Sequence, residues 1–256
     1  MPLPHVTAAV LLIGDELLSG RTQDINLQAI AKFLAPLGVQ IAEARVVSDA
    51  QENIVAALNE LRTRYDYVFT TGGIGPTHDD KTADAVAAAF GVHIGVREDA
   101  LEILRSHYGA QRNVELNESR LRMARIPDGA ILIANPVSKA PGFQMENVFV
   151  MAGVPSIMRG MLQDIGHRLK GGAVVRSVTV RARGVPEGAI ADGLGALETN
   201  APGVAFGSYP WFTPEGYGVH LVARSADEAA LEKARTDLHD LIRTKGGDPE
   251  NVEDAA

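Results

Sequence analysis

Apolar positions mark out the elements of the chain. Val6 to Ile13 is an almost wholly apolar run that stops at Gly14. A run this short, bounded by glycine, predicts a strand buried on both faces, as in a parallel sheet. Asp24 to Leu34 follows with Ile25, Ala29, Ile30 and Phe33 at helical spacing, and Gly38 closes it. Val39 to Val47 alternates and predicts a second strand. Gln51 to Arg64 predicts a helix with Ile54, Leu58 and Leu61 on one face. Tyr67 to Thr71 predicts a third strand stopped by Gly72 and Gly73, and Asp80 to Phe90 an alanine-rich helix stopped by Gly91. Helices are expected over Arg97 to Tyr108 and Leu116 to Arg125, and strands over Ile131 to Ala134 and Asn147 to Met151. Pro155 to Leu169 predicts a closing helix with proline in its first turn.

Strand–helix alternation of this kind implies a parallel sheet with helices on both faces. The grammar changes after the polar, glycine-ended stretch Gly166 to Gly172. Ala173 to Arg183 predicts an alternating strand and Glu187 to Glu198 a helix. Val204 to Ser208 and Tyr217 to Ala223 predict strands around a Pro/Gly/aromatic loop, and Ala226 to Arg243 a helix. The expected organisation is an α/β domain over residues 1–169, a small α+β domain of β-α-β-β-α order over 170–245, and a flexible acidic tail over 246–256. Tyr209 and Trp211 are expected in the core of the small domain, the alternative being a stacking surface for a base.

Length and composition narrow the function classes. At 256 residues the chain suits one large and one small domain. The absence of cysteine excludes disulfides, a thiolate nucleophile and Cys-ligated metal sites. With 24 basic against 32 acidic side chains the net charge is −8, which argues against duplex nucleic acid as a partner. The longest apolar run, Ala8 to Ile13, falls far short of the about 20 residues a membrane span needs, and no basic residue precedes it to suggest a signal peptide. A cytoplasmic protein is expected.

In open parallel sheets, ligands bind beyond the carboxyl ends of the strands. Here those ends carry Gly14-Asp15-Glu16, Ser48-Asp49, Gly72 through Asp80, Asn135 through Lys139, and Gly153-Val154-Pro155. Acidic residues from three strands therefore converge on one edge. Crowded carboxylates take up a proton or recruit a cation, and hard divalent cations favour carboxylate and phosphate oxygens. Gly72, Gly73 and Gly75 leave backbone N–H groups uncovered beside a helix start, which favours anions. Arg21, Lys81 and Lys139 are the nearby bases. Thr77-x-x-Asp80 is equally a helix capping box, and Asp15 and Asp49 are equally loop or cap residues. His78 is expected to face solvent.

Taken together, the segments Gly14 to Gly20, Asp24-x-Asn26, Thr70 to Thr82, Asn135-Pro136 through Phe143, and Gly153-Val154-Pro155 resemble the molybdopterin-binding (MoaB/Mog-like) domain family, in the version found at the N-terminus of CinA-type proteins. Gly207-Ser208-Tyr209-Pro210 resembles the region attached to this domain in eukaryotic FAD synthases. The resemblance reaches to about Arg243. It implies a three-layer α/β/α sandwich with a mostly parallel sheet, a small appended domain and a homo-oligomer.

For chemistry, the resemblance implies metal-dependent cleavage of a nucleotide diphosphate such as ADP-ribose or FAD. The alternatives are molybdopterin binding or adenylyl transfer, and a nucleotide- or pterin-binding module without catalysis. By motif position, Asp49 and Asp80 match the catalytic aspartates, and Asp15 joins them as a candidate ligand of Mg²⁺, Mn²⁺ or Co²⁺, with a monovalent cation as a further candidate. The expected substrate-binding residues are Gly14, Asn26, Thr71, Gly72, Gly73, Gly75, Pro76, Thr77, Lys81, Asn135, Lys139, Pro141, Gly142 and Gly153. Two positions depart from the family pattern: Ala152 stands where a proline is usual, and Ile157 where an acid is usual.

Overall fold

The structure, a computed structural model, describes residues 5–109 and 116–252. The chain divides into two compact units, Met1–Gly172 and Ala173–Ala256. Residues 170–172 go with the first unit because it holds their backbone. The Lys170 amide donates to Tyr67 Oη (2.8 Å), and the Gly172 amide to Gly38 O (3.2 Å).

The first unit runs β1 (Val6–Ile13), α1 (Asp15–Leu18), α2 (Asn26–Leu34), β2 (Val39–Val47), α3 (Gln51–Arg64), β3 (Tyr67–Thr71), α4 (Thr82–Phe90), β4 (Ile94–Val96), α5 (Glu98–Gly109), α6 (Glu118–Leu121), β5 (Arg125–Pro127), β6 (Ile131–Ile133), β7 (Gly142–Met145), β8 (Val148–Met151) and α7 (Pro155–Ile165). Its main sheet has the order β2-β1-β3-β8-β7-β6. Neighbours pair in parallel except on either side of β7. As the apolar run predicts, β1 is buried on both faces. Ala9, Leu11 and Ile13 pack with Ile54, Leu58 and Leu61 of α3 and with Val86 and Leu104. Ala8, Val10 and Leu12 pack on the other side with Ile30, Leu34, Met158 and Leu162 of α2 and α7. This is the expected three-layer sandwich, with one core on each side of the sheet.

Several elements differ from the sequence reading. Residues 116–125, expected as a helix, form only the short α6 and a 3-10 turn at Arg122–Ala124. Arg125 then enters β5, which pairs antiparallel with β4 in a separate two-stranded sheet. The fixing contact is a forked ion pair from Arg125 to Asp84 of α4 at 2.8 and 2.6 Å. Both side chains are about a quarter exposed, at 29 and 26%. Asp84→Ala is expected to cost about 1–3 kcal/mol, between the limits for surface and buried pairs. The shift of the urea midpoint at constant slope measures it, and no shift would show the pair to be idle.

Helix starts also move. The helix expected from Asp24 begins at Asn26, because the Asp24 carboxylate accepts from the Asn26 and Leu27 amides (3.1 and 3.0 Å) and caps from outside. The helix expected from Asp80 begins at Thr82, leaving residues 77–81 in a turn. Strand β7 lies in a stretch to which the apolar pattern assigns no element.

The second unit runs β9 (Arg176–Arg183), α8 (Glu187–Asn200), β10 (Ala205–Thr213), β11 (Gly216–Ser225), α9 (Glu228–Thr244) and β12 (Asp248–Val252). The β-α-β-β-α order stands and gains a last strand. Residues 248–252, expected in a frayed tail, pair antiparallel with β9, giving the order β10-β11-β9-β12. Residues 253–256 of that tail lie outside the described residues. The core combines Val180, Val219 and Leu221 with Ile190, Leu231 and Leu238 of the two helices.

Tyr209 and Trp211 are not core. They alternate onto the sheet face opposite Val219 and Leu221. The indole lies across Gly218, where a Cβ would come within 2.8 Å of Trp211 Cζ2, and the Arg181 guanidinium sits 4.2 Å over the ring.

Candidate functional site

The carboxyl ends of β1, β2, β3, β6 and β8 meet around a cavity of about 550 Å³. One wall is the loop after β3, and its shape depends on glycine. Gly72 has φ +104°, and a Cβ there would stand 2.2 Å from Ile13 O. Gly73 has φ +66°, and a Cβ would stand 2.2 Å from Thr82 Oγ1. Only glycine takes both backbone conformations without strain. The loop is tied to the start of α4 by bonds from Thr82 Oγ1 to Gly72 O and from the Thr82 amide to Gly73 O, each 2.9 Å.

Gly75 gives clearance of another kind: a Cβ there would lie 2.7 Å from Asp80 Oδ2. That oxygen already accepts from the Thr77 amide (2.8 Å) and the Thr77 hydroxyl (2.5 Å). The capping-box residues therefore pair as expected, but they close a turn ahead of the helix rather than its first turn. Asp49 is anchored in a similar way, its Oδ2 accepting from the Asp15 amide at 2.8 Å. Each aspartate thus spends one oxygen on its loop. Among the described residues the other oxygen has no hydrogen-bond partner, and both residues line the cavity. Asp79, also in the lining, is exposed. His78 is 98% exposed, as expected of a loop residue.

Of the other expected residues, Gly72, Gly73, Gly75, Pro76, Asn135 and Gly153 line the same cavity. Gly14, Asp15, Thr71, Lys81 and Gly142 do not. Asp15 is exposed, and its neighbour Glu16 takes the place in the lining. Thr77 acts through Asp80. Asn26 is buried and donates to Gly153 O (2.7 Å), bracing the floor from behind. Asn135 holds its own loop through the amides of Val137 and Ser138 and the carbonyl of Ala140. Lys139, at φ +64°, borders a different surface cavity with Asp99, Glu102 and His107. Pro141 borders a small cavity of about 20 Å³ behind the glycine loop.

The sequence reading named three residues of one wall, Ala152, Val154 and Ile157, without expecting the wall to be apolar. Ile13, Ile74, Met123, Ala152, Val154 and Ile157 make it apolar, and both departures from the family pattern fall within it. The site therefore joins an apolar wall to a rim bearing Glu16, Asp49, Asp79 and Asp80. Backbone amides there can donate to an anion, and carboxylate oxygens can orient water or meet a cation.

Among the described residues, no three His, Asp or Glu side chains come close enough together to hold an ion. The expected trio of Asp15, Asp49 and Asp80 is thus not assembled as a resident metal site. Nor is any helix among the described residues long and apolar enough to cross a membrane.

Comparison with known proteins gives the family. Residues 9–171 match the family described as "Probable molybdopterin binding domain", and residues 175–248 match the FAD synthase middle domain. A CinA-like protein of Gemmatimonas aurantiaca is 35% identical over 249 residues, covering 93% of this chain and 58% of its own length. A protein of Pyrobaculum calidifontis is 33% identical, covering 93% of this chain and 97% of its own. The crystal structure of CinA from Thermoplasma acidophilum, of unknown function, superposes with a TM-score of 0.59 at 34% identity, over 64% of this chain and 99% of that one.

Proposed function

This chain belongs to the molybdopterin-binding domain family of CinA-like proteins, and from that premise we propose that its cavity binds a nucleotide diphosphate of the ADP-ribose or FAD class and hydrolyses the phosphoanhydride. The supporting observation is that Asp49 and Asp80, which follow different strands, share one cavity with the Gly72–Gly75 loop, each with one carboxylate oxygen unengaged.

The cation is assigned to the substrate. A divalent ion usually enters such sites on the phosphates and needs only one or two carboxylates from the protein. The amides of Gly73 and Gly75 donate to the phosphate oxygens, that of Gly72 being spent on Met151 O (3.1 Å). Asp49 and Asp80 orient a water and accept its proton as its oxygen attacks phosphorus. The P–O–P bridge breaks, and the leaving phosphate carries off the bridging oxygen. ADP-ribose then gives AMP and ribose 5-phosphate, and FAD gives AMP and FMN.

Purified protein with ADP-ribose or FAD and Mg²⁺, Mn²⁺ or Co²⁺ is expected to release AMP. Absence of AMP with every cation defeats the hydrolytic reading.

The apolar wall of Ile13, Ile74, Met123, Val154 and Ile157 favours a second reading, a flat pterin bound without cleavage of a nucleotide. A melting-temperature screen separates the two, because a ligand selective for the folded state raises its stability by about 2.7 kcal/mol at a hundred times its Kd. Stabilisation by pterins alone selects the second reading.

A further inference from the structure

The segment after α6 brings two arginines up to the glycine loop. The small cavity behind that loop is bordered by Arg122 and Arg125 together with Gly73, Gly75 and Asp80. It shares those three residues with the larger cavity. Arg125 is fully engaged by its forked pair with Asp84.

Arg122 is not. Among the described residues it has no carboxylate at ion-pair distance. Among the described residues its guanidinium makes one hydrogen bond, a long one of 3.3 Å from Nη2 to the carbonyl oxygen of Asp80. Its Nε is shut off from solvent without an acceptor. A guanidinium is a donor on every nitrogen and accepts nothing. Folded proteins rarely leave such a donor unmatched, and a part-buried positive charge wants a negative partner. The fold supplies none here, although Asp84 was near enough to satisfy the neighbouring arginine. Arg122 borders the smaller of the two cavities and not the larger, and an anionic acceptor seated on the glycine loop would offer its terminal Nη atoms the partner they lack across Gly73, Gly75 and Asp80, which line both cavities. Phosphate fits best, because its oxygens match the planar fork of arginine.

We infer that Arg122 is a phosphate-binding residue of this site, contacting the group seated on the Gly72–Gly75 loop and selecting diphosphates over unphosphorylated rings. The inference rests on the phosphate reading above and adds the residue that reads the charge. A purely structural Arg122 would merely steady Asp80 through its carbonyl.

Calorimetric titration of the full chain with ADP-ribose, inorganic pyrophosphate and adenosine, each with Mg²⁺, tests it. Arg122→Gln is expected to weaken ADP-ribose and pyrophosphate at least tenfold, leaving adenosine affinity and melting temperature unchanged. Arg122→Lys should recover part of the loss, since it keeps the charge but not the fork. The slope of log Kd against log salt should be shallower in Arg122→Gln than in wild type. Wild-type binding of ADP-ribose with an unchanged Kd in Arg122→Gln overturns this inference alone. An equal loss for adenosine also overturns it, because that marks a structural role. Failure of the wild-type protein to bind either phosphate ligand removes the reading underneath and this inference with it.

Discussion

Gly72→Ala is expected to cost about 4–5 kcal/mol, a severe effect for one methyl group. Two causes add. The residue sits at φ +104°, where a side chain is strained by roughly 1–3 kcal/mol. The new Cβ would also stand 2.2 Å from Ile13 O, a backbone atom of a strand buried on both faces. That strand cannot yield without disturbing two cores, and Gly153 stands close on the other side, where even a Cβ of its own would come within 3.2 Å of the Gly72 Cα. Against a total stability of about 5–15 kcal/mol, the variant should be largely unfolded or insoluble. Gly91→Ala is the control. It too has positive φ, +65°, but nothing stands within 4 Å of its Cβ position, so about 1 kcal/mol is expected. Urea denaturation of both variants decides, and equal losses would show that the close approach to Ile13 is unimportant.

Asp80→Asn is expected to reduce AMP release about 10²–10³-fold, the usual scale for removing one preorganised polar group from a reacting centre. The substitution separates two roles of one carboxylate. The oxygen of an asparagine can still accept from the Thr77 amide and hydroxyl, so the turn survives. What disappears is the negative charge and the ability to take a proton. Melting temperature should therefore change by less than about 2 °C while turnover collapses. Asp15→Asn supplies the contrast: Asp15 lies outside the cavity lining and contributes its backbone amide to Asp49, which the substitution keeps. Its rate should stay within about twofold of wild type. A comparable collapse in Asp15→Asn would contradict the placement of these aspartates.

The parts legible in the sequence are those where burial writes a periodic pattern. Val6–Ile13, Val39–Val47, Gln51–Arg64 and Tyr67–Thr71 end where the apolar and glycine signals put them. Gly142–Met145 was invisible because four residues carry no period, and the strand exists through pairing with both neighbours. Asp248–Val252 has almost no apolar signal and is held by backbone bonds to Arg176–Arg183. At the site, the carboxyl-edge rule brought Asp49, Asp80 and the glycine loop together. It could not choose between Asp15 and Glu16, because adjacent residues on a helical turn point about 100° apart. Arg122 escaped notice because it follows a short helix rather than one of the sheet strands on which that rule operates.

The protein has a single tryptophan. Trp211 lies in the second unit, over Gly218 and beneath Arg181. Intrinsic indole emission is therefore a regional gauge. Its transition follows the melting of roughly the last third of the polypeptide, whereas far-ultraviolet dichroism averages over both units. Superimposable curves from the two optical signals would mean one cooperative event, and separated curves would mean two units that come apart independently.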